Sequence, residues 1–392
     1  MSRRRPLDAV VVGGGPVGAA AALALARDGF DVAVVEAHEP QPWQEQEPLD
    51  LRVLALAPSA ARLLADLGVW DSLAQARVAP YARMQVVDAA NGGTLDFDAA
   101  DHARDTLGWI VENRLLQNTL WRALEPAGAQ RLCPARLEDL QVGDDRVRLT
   151  LGDGRELAAR LLIAADGGTS PLRQRFGIDC NDHDYAQRAV VAHVRGERAH
   201  DNMAWQRFLP GGPLALLPLA DGRASLVWSL PSAHAEDVLA LDNARFMEVL
   251  AVASDFHLGR IVETTPRAAF PLRMRLARRY HAPRALLVGD AAHVVHPLAG
   301  QGVNIGLRDV IELRKVLGEA RRRGRDIGAE DVLARYARRR RSAGSLDAWS
   351  IDALARVFAW RAPPLVGLRG AGLRLVDRIG PLKRALSGHA QG

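Results

Sequence analysis

Two carboxylates and three sets of glycines carry the chemistry this sequence offers. Asp290 follows the short apolar run from Ala285 to Val288 across Gly289, and Asp166 follows a second apolar run that ends at Ala164-Ala165. Each carboxylate therefore stands where a buried strand gives way to a turn. Past Asp290 come His293, His296, Pro297 and the triplet Gly300-Gln301-Gly302. Val303 and Asn304 then open a helical pattern with Gly306, Val310, Leu313 and Leu317 on one face. Near the N-terminus, Gly13-Gly14-Gly15-Pro16-Val17-Gly18 is followed by Glu36, 18 positions beyond the last glycine. Glycines let a ligand approach the backbone where side chains would obstruct it. Free amides at a helix N-terminus favour negative charge, and a strand-end carboxylate accepts hydrogen bonds from hydroxyls. These parts suit a nucleotide cofactor. The sequence offers no Ser/His/Asp constellation and no metal-ligand cluster, so the reaction belongs to the cofactor and the protein supplies position and electrostatics.

The elements that must position these residues follow from the spacing. Ala9 to Val12 reads as a strand, Ala19 to Arg27 as an alanine-rich helix closed by Gly29, and Asp31 to Val35 as a second strand. In that frame Gly13 permits the tight turn, Gly15 admits a pyrophosphate, and Gly18 lets helix pack on strand. Glu36 accepts from ribose hydroxyls and its charge repels a 2′-phosphate, which favours FAD or NAD over NADP. An ordinary tight turn is the bland alternative. Asp50-Leu51-Arg52 precedes a helix from Ser59 to Leu67, and residues 84 to 98 form a hairpin turning at Asn91-Gly92-Gly93. A helix beginning at Val111 to Gln117 buries Leu116, Leu120 and Leu124. Asp166-Gly167-Gly168-Thr169-Ser170 leads to Arg173, with Ser170 capping a short helix. From 183 to 280 the βαβ rhythm is absent. Short β-like runs replace it: Ala189 to Val194, Trp205 to Phe208, Ala215 to Leu219 and Ala224 to Leu230. Ala268 to Leu272 is expected to return the chain to the first domain.

Composition sets the outer bounds. With 392 residues, 48% hydrophobic and 25% charged, the chain suits two interlocked globular domains. Cys133 and Cys180 stand far apart and form no CxxC, which argues against a disulfide framework or a zinc site and fits a reducing cytoplasm. The net charge of +5 comes from 51 basic residues of which only Lys315 and Lys383 are lysines. No aromatic-interleaved basic patch accompanies that charge, so nucleic acid is excluded as a partner. Arg3-Arg4-Arg5 and the apolar run to Ala26 imitate a signal peptide, but Asp8, the glycine cluster and the following strand argue against one. Arg321-Arg322-Arg323 and Arg338 to Arg341 read as a solvated helical face.

The segment His296-Pro297-Leu298-Ala299-Gly300-Gln301-Gly302-Val303-Asn304-Ile305-Gly306-Leu307-Arg308-Asp309 resembles the signature of the FAD-dependent ubiquinone-biosynthesis aromatic hydroxylases. These are single-component flavin monooxygenases similar to para-hydroxybenzoate hydroxylase. The resemblance extends from Val10 to about Leu386. It implies tight, noncovalent FAD, with NAD(P)H and O2 as cosubstrates and a flavin C4a-hydroperoxide that hydroxylates a polyprenylated phenol or benzoquinol. In relatives, an arginine matching Arg52 reaches the flavin and the residue at Gln117 contacts FAD with Arg114 nearby. By spacing alone, Arg52 reads as well as a surface arginine, and Arg114 and Gln117 as solvated helix residues. Asp166 to Arg173 resembles the family's DG fingerprint, with Ala165 where glycine is common, and carries no single role. Pro297 and His296 are the candidates nearest the flavin, and no catalytic base is assigned. Trp205, Phe208 and Trp228 are candidates for an apolar substrate pocket, with core packing as the alternative for each.

These features imply a mixed α/β fold: a discontinuous Rossmann-like FAD-binding domain, an inserted β-sheet substrate domain and a C-terminal helical segment. Residues 1–82, 106–182 and 284–345 are assigned to the FAD domain, 83–105 and 183–283 to the substrate domain, and 346–392 to the tail. Segments Glu112 to Glu125, Trp205 to Trp228 and Ala362 to Arg384 resemble most the pathway enzyme that oxidises C6, the last open ring carbon. A C5 or C1 hydroxylase, a flavoenzyme of other chemistry, and a noncatalytic FAD-bearing subunit of a quinone-biosynthesis complex are the alternatives. In the tail, Leu365, Leu368, Gly372, Leu375, Val376 and Ile379 share a helical face, with Lys383-Arg384 following. This fits peripheral attachment at the inner face of the membrane, or packing on the enzyme's own core.

Overall fold

The structure, a computed structural model, describes residues 6–295, 302–342 and Val366. Its first sheet has a parallel centre of five strands in the order Ala285–Leu287, Glu156–Ala164, Leu7–Val12, Val32–Val35 and Gln130–Leu132. Val147–Leu151 and Leu137–Val142 add an antiparallel flank on Glu156–Ala164. Leu7–Val12 is flanked on both sides, and Ala9, Val10 and Val11 are fully buried, as a central parallel strand requires.

One face of this sheet is covered by three helices, Pro16–Arg27, Asn113–Leu124 and Gly302–Arg322. The first helix starts at Pro16, three residues earlier than expected, because proline suits the first helical position. Gly18 to Ala26 are buried all round, since alanine lets neighbouring helices approach closely. Val310, Leu313 and Leu317 are fully buried with Gly306 on the face the periodicity predicts. The other face packs the antiparallel flank and Tyr280.

The second sheet is built from longer strands in the order His293–Val294, Ala268–Ala277, Cys180–Gly196, Ala224–Pro231, Gly212–Pro218, Met203–Leu209, Arg83–Asp88 and Thr94–Asp98. The hairpin at residues 83–98 thus joins strands distant in sequence, with Met203 beside Arg83. Two expectations are corrected here. Ala268–Ala277 does not return the chain to the first sheet; it pairs along Cys180–Gly196 in the second, and the return comes with His281–Ala282 and Ala285–Leu287. Val111 and Glu112 end the strand Gly108–Glu112, and the helix begins at Asn113. Helices Ser232–Ala240 and Asn243–Ala253, which the β-like runs gave no hint of, bury Phe246 and Leu250 on the back of the second sheet. A small sheet of Val53–Leu56, Gly108–Glu112 and Ala79–Tyr81 lies against the opposite face of the second sheet.

Candidate functional site

Four parallel strands end side by side. Val12 pairs with Val35 and with Ala164, and Ala164 pairs with Leu287. Gly13 and Glu36 come directly after those ends and Asp166 and Asp290 within three residues of them, so three motifs far apart in sequence share the carboxyl edge of one sheet. That edge is where open α/β sheets bind ligands.

The glycine turn divides its labour. Gly13 has φ +110°, and a Cβ there would lie 2.2 Å from the Ala165 carbonyl. A Cβ on Gly18 would lie 2.0 Å from the Gly13 carbonyl. Gly15 is different: nothing lies within 4 Å of a Cβ built on it, and it begins a helix without a side-chain cap. The open space and uncapped amides fit an anionic pyrophosphate. Glu36 Oε2 accepts from Gly14 N at 2.5 Å and Oε1 from His38 N at 3.0 Å. Carboxylate oxygens have further lone pairs, so ribose hydroxyls can still be accepted. Gln117 Nε2 donates to the Gly14 carbonyl at 3.0 Å, which brings this distant helix to the turn.

Asp166 secures its own turn, accepting from Ser170 Oγ at 2.6 Å and Leu172 N at 2.9 Å, while Ser170 caps the following helix as expected. Arg173 is buried and donates to the Ala291 carbonyl at 2.8 Å and to Gly168 and Thr169. It therefore clamps the Asp166 turn to the Asp290 turn. Asp290 is exposed at the edge. Behind it, Asp309 accepts from Gly289 N at 2.8 Å, His293 Nε2 at 2.6 Å and Arg340 Nε at 2.5 Å. Burial pushes the Asp309 carboxyl up, but the charges of His293 and Arg340 and their hydrogen bonds outweigh it and hold it below the ordinary range.

The loop before residue 53 is tied to the helix Asn113–Leu124. Arg114 pairs with Glu47 at 2.5 Å, its amide donates to Asp50, and Asn113 N donates to the Arg52 carbonyl. Buried Glu112, missed by the motif reading, accepts from Trp43 Nε1, Asp50 N and Arg77. The Arg52 side chain is exposed. Asn304, expected at the cofactor, also has a structural task. Its amide accepts from Ala57 N at 2.8 Å and donates to the Ala55 carbonyl at 2.7 Å, so both ends are engaged in joining the helix to the loop. Val303 packs on the main core, and a Cβ on Gly302 would meet nothing within 4 Å. His296, Pro297, Gly300 and Gln301 lie outside the described residues.

The second sheet turns two faces to different neighbours. Trp205 and Trp228 pack with Phe246 and Leu250 of the back helices, and Trp205 stacks on His257 at 4.5 Å. The alternation of a strand sends residues one apart to opposite faces, so both tryptophans pack toward the back helices and Phe208 lies on the other face, while Trp205 also borders the cavity between the sheets. On that face, Ala204 and Leu217 meet Tyr81 and Met84 around a small cavity against Ala55. Burial pushes the Tyr81 phenol up to about 12, so it stays a protonated hydroxyl at the cavity wall. No His/Cys/Asp/Glu group among the described residues could hold a metal ion. Nor is any described helix long and apolar enough to cross a membrane.

Residues 6–346 match the family described as FAD binding domain. The chain is 40% identical to the 3-demethoxyubiquinol 3-hydroxylase of Escherichia coli, covering 99% of both chains. It is also 40% identical to the ubiquinone hydroxylase UbiL of Rhodospirillum rubrum, over 98% of this chain and 89% of that one. The crystal structure of p-nitrophenol 4-monooxygenase PnpA from Pseudomonas putida shares the fold at a TM-score of 0.79 with 19% identity, covering 99% and 98% of the two chains.

Proposed function

The chain belongs to the FAD binding domain family, and from that premise we propose that it is an aromatic-ring hydroxylase of ubiquinone biosynthesis, acting on a polyprenylated phenol or benzoquinol with NAD(P)H and O2 as cosubstrates. The observation that carries the reading is the row Val35, Val12, Ala164 and Leu287, which gathers three motifs at one sheet edge beside an open Gly15. When bound there, FAD supplies electron storage and oxygen activation. Gly13, Gly15 and the helix N-terminus hold its pyrophosphate, Glu36 accepts from its ribose, and Gln117 fixes the turn. Asp166 and Arg173 keep the neighbouring strand ends in place, while Arg52, Arg114 and Asp290 approach from loop, helix and turn. The face with Ala204, Leu217 and Tyr81 supplies an apolar wall that excludes water from the reacting ring.

For the ring position, the lean is to the last open carbon, the one a 3-demethoxyubiquinol lacks oxygen on. Disrupting the gene in its host and identifying the accumulated precursor by mass spectrometry tests both levels. A precursor lacking only that oxygen supports the lean. One lacking the C5 or C1 oxygen moves the assignment within the pathway, and unchanged quinone removes the pathway.

A cytoplasmic enzyme held at the inner membrane face suits a substrate that partitions into lipid. The tail 346–392 lies outside the described residues apart from Val366, whose carbonyl accepts from Asn91 Nδ2 at 3.0 Å. Deleting residues 362–392 is expected to weaken liposome binding and to slow long-chain substrates more than short-chain analogues. Equal loss on both lengths removes the delivery argument.

A further inference from the structure

The second sheet carries a buried polar pair, His193 and Ser225. His193 and Ser225 sit directly opposite each other on adjacent strands and are 1% exposed. His193 Nε2 and Ser225 Oγ have no hydrogen-bond partner. Leaving a buried polar atom unpaired costs its desolvation in full, so two on facing residues call for a partner.

Register places the pair. Ser225 lies beside Leu217 on the next strand, and Leu217 is part of the apolar cluster with Ala204 and Ala55. By alternation, His193, Ser225 and Leu217 share the face that looks toward the small sheet, opposite Ala192, Leu226 and Leu216 in the back core. The Leu51–Arg52 loop lies next to the His193 ring, and Asp50 is close enough to act on its charge. Nε2 is unpartnered, and a neutral imidazole offers one acceptor nitrogen, which this buried position leaves available. The His193 main chain is fixed by Thr265, whose hydroxyl accepts from His193 N at 2.9 Å.

We propose that His193 and Ser225 anchor the ring hydroxyl of the aromatic substrate: Nε2 accepts the hydrogen bond of that hydroxyl, and the serine hydroxyl donates to its oxygen. The inference rests on the aromatic hydroxylation read above. A neutral acceptor beside a hydroxyl matches an uncharged phenol on an apolar ring. A carboxylate or phosphate would need a free cation, and Arg223 nearby is paired with Asp221. Burial first, and then the charge of Arg223, lower the imidazole pKa to about 4, against Asp221 and Asp50. The ring thus stays neutral at physiological pH, and it orients the phenol without taking its proton. Fixing one hydroxyl decides which ring carbon is presented for attack, so the pair is a specificity determinant.

The test compares a short-chain prenylated methoxyphenol with its methyl ether, binding each to FAD-replete protein and reading the flavin absorbance change. Wild type is expected to prefer the free phenol by about tenfold, the scale of one hydrogen bond. His193→Leu and Ser225→Ala should bring that ratio toward one with FAD content unchanged, and His193→Gln should restore part of it through its amide oxygen. Should the leucine variant fail to fold, Ser225→Ala, which removes one oxygen, decides. A wild-type ratio retained in the variants overturns the proposal, as does a wild type that binds both ligands equally. A wild type that binds neither ligand overturns the hydroxylase reading and this anchor with it.

Discussion

His293 Nε2 lies 2.6 Å from Asp309 Oδ2, and both side chains are buried, so the turn that carries Asp290 is braced from behind by a charge in the following helix. The same Asp309 oxygen accepts from Gly289 N, and Arg340 pairs with the other oxygen. Removing one partner of a buried ion pair leaves the other uncompensated, at a cost of about 3–5 kcal/mol. Asp309→Leu should therefore lower the unfolding free energy measured in urea by about that amount, moving the midpoint down, and reduce FAD retention. An unchanged midpoint would show that the network is not what holds the turn.

Gly15 and Gly18 offer a matched pair. Gly15→Val should fold with near wild-type circular dichroism and lose FAD, because its side chain enters open space at the helix N-terminus. Gly18→Val should fail to fold, since a backbone carbonyl 2.0 Å away cannot move aside cheaply. If Gly15→Val keeps its yellow colour, the pyrophosphate does not lie there.

Asp290 stands exposed where a ligand hydroxyl or ring nitrogen would meet it. Losing a charge-assisted hydrogen bond costs roughly 1.5–3 kcal/mol, so Asp290→Ala should raise the FAD dissociation constant by about 10- to 100-fold. Fluorescence titration of apoprotein with FAD measures it, and an unaltered constant takes Asp290 out of the site.

Stability should respond to acid through His193. Its folded pKa of about 4 lies below the ordinary 6.5, so between those values the unfolded chain takes up a proton that the fold refuses. The native state is thus unaffected above pH 6.5 and loses stability as pH falls toward 4, by at most about 3 kcal/mol. Denaturation of wild type and His193→Gln at a series of pH values isolates this share from the carboxylates. Parallel curves for the two proteins would mean that the histidine is not buried neutral.

Much of this protein is legible in sequence because short-range chemistry leaves few choices. Gly13, Gly15 and Gly18 have separate jobs that follow from the geometry of a strand–turn–helix, and the face of Gly306, Val310, Leu313 and Leu317 follows from helical period. Ser170 caps its helix because its spacing to Arg173 permits little else. What only tertiary structure decided is partnership across long separations. Asn304 binds Ala55 and Ala57, Arg173 reaches Ala291, and Gln117 reaches Gly14; a sequence shows each donor and not the carbonyl it will meet. Strand alternation was visible for Trp205, Phe208 and Trp228, yet which face is core depends on the helices Ser232–Ala240 and Asn243–Ala253 that cover it. His193 read as one more residue in an apolar run. Its unpaired nitrogen exists only because Ser225, Leu51 and the small sheet are folded around it.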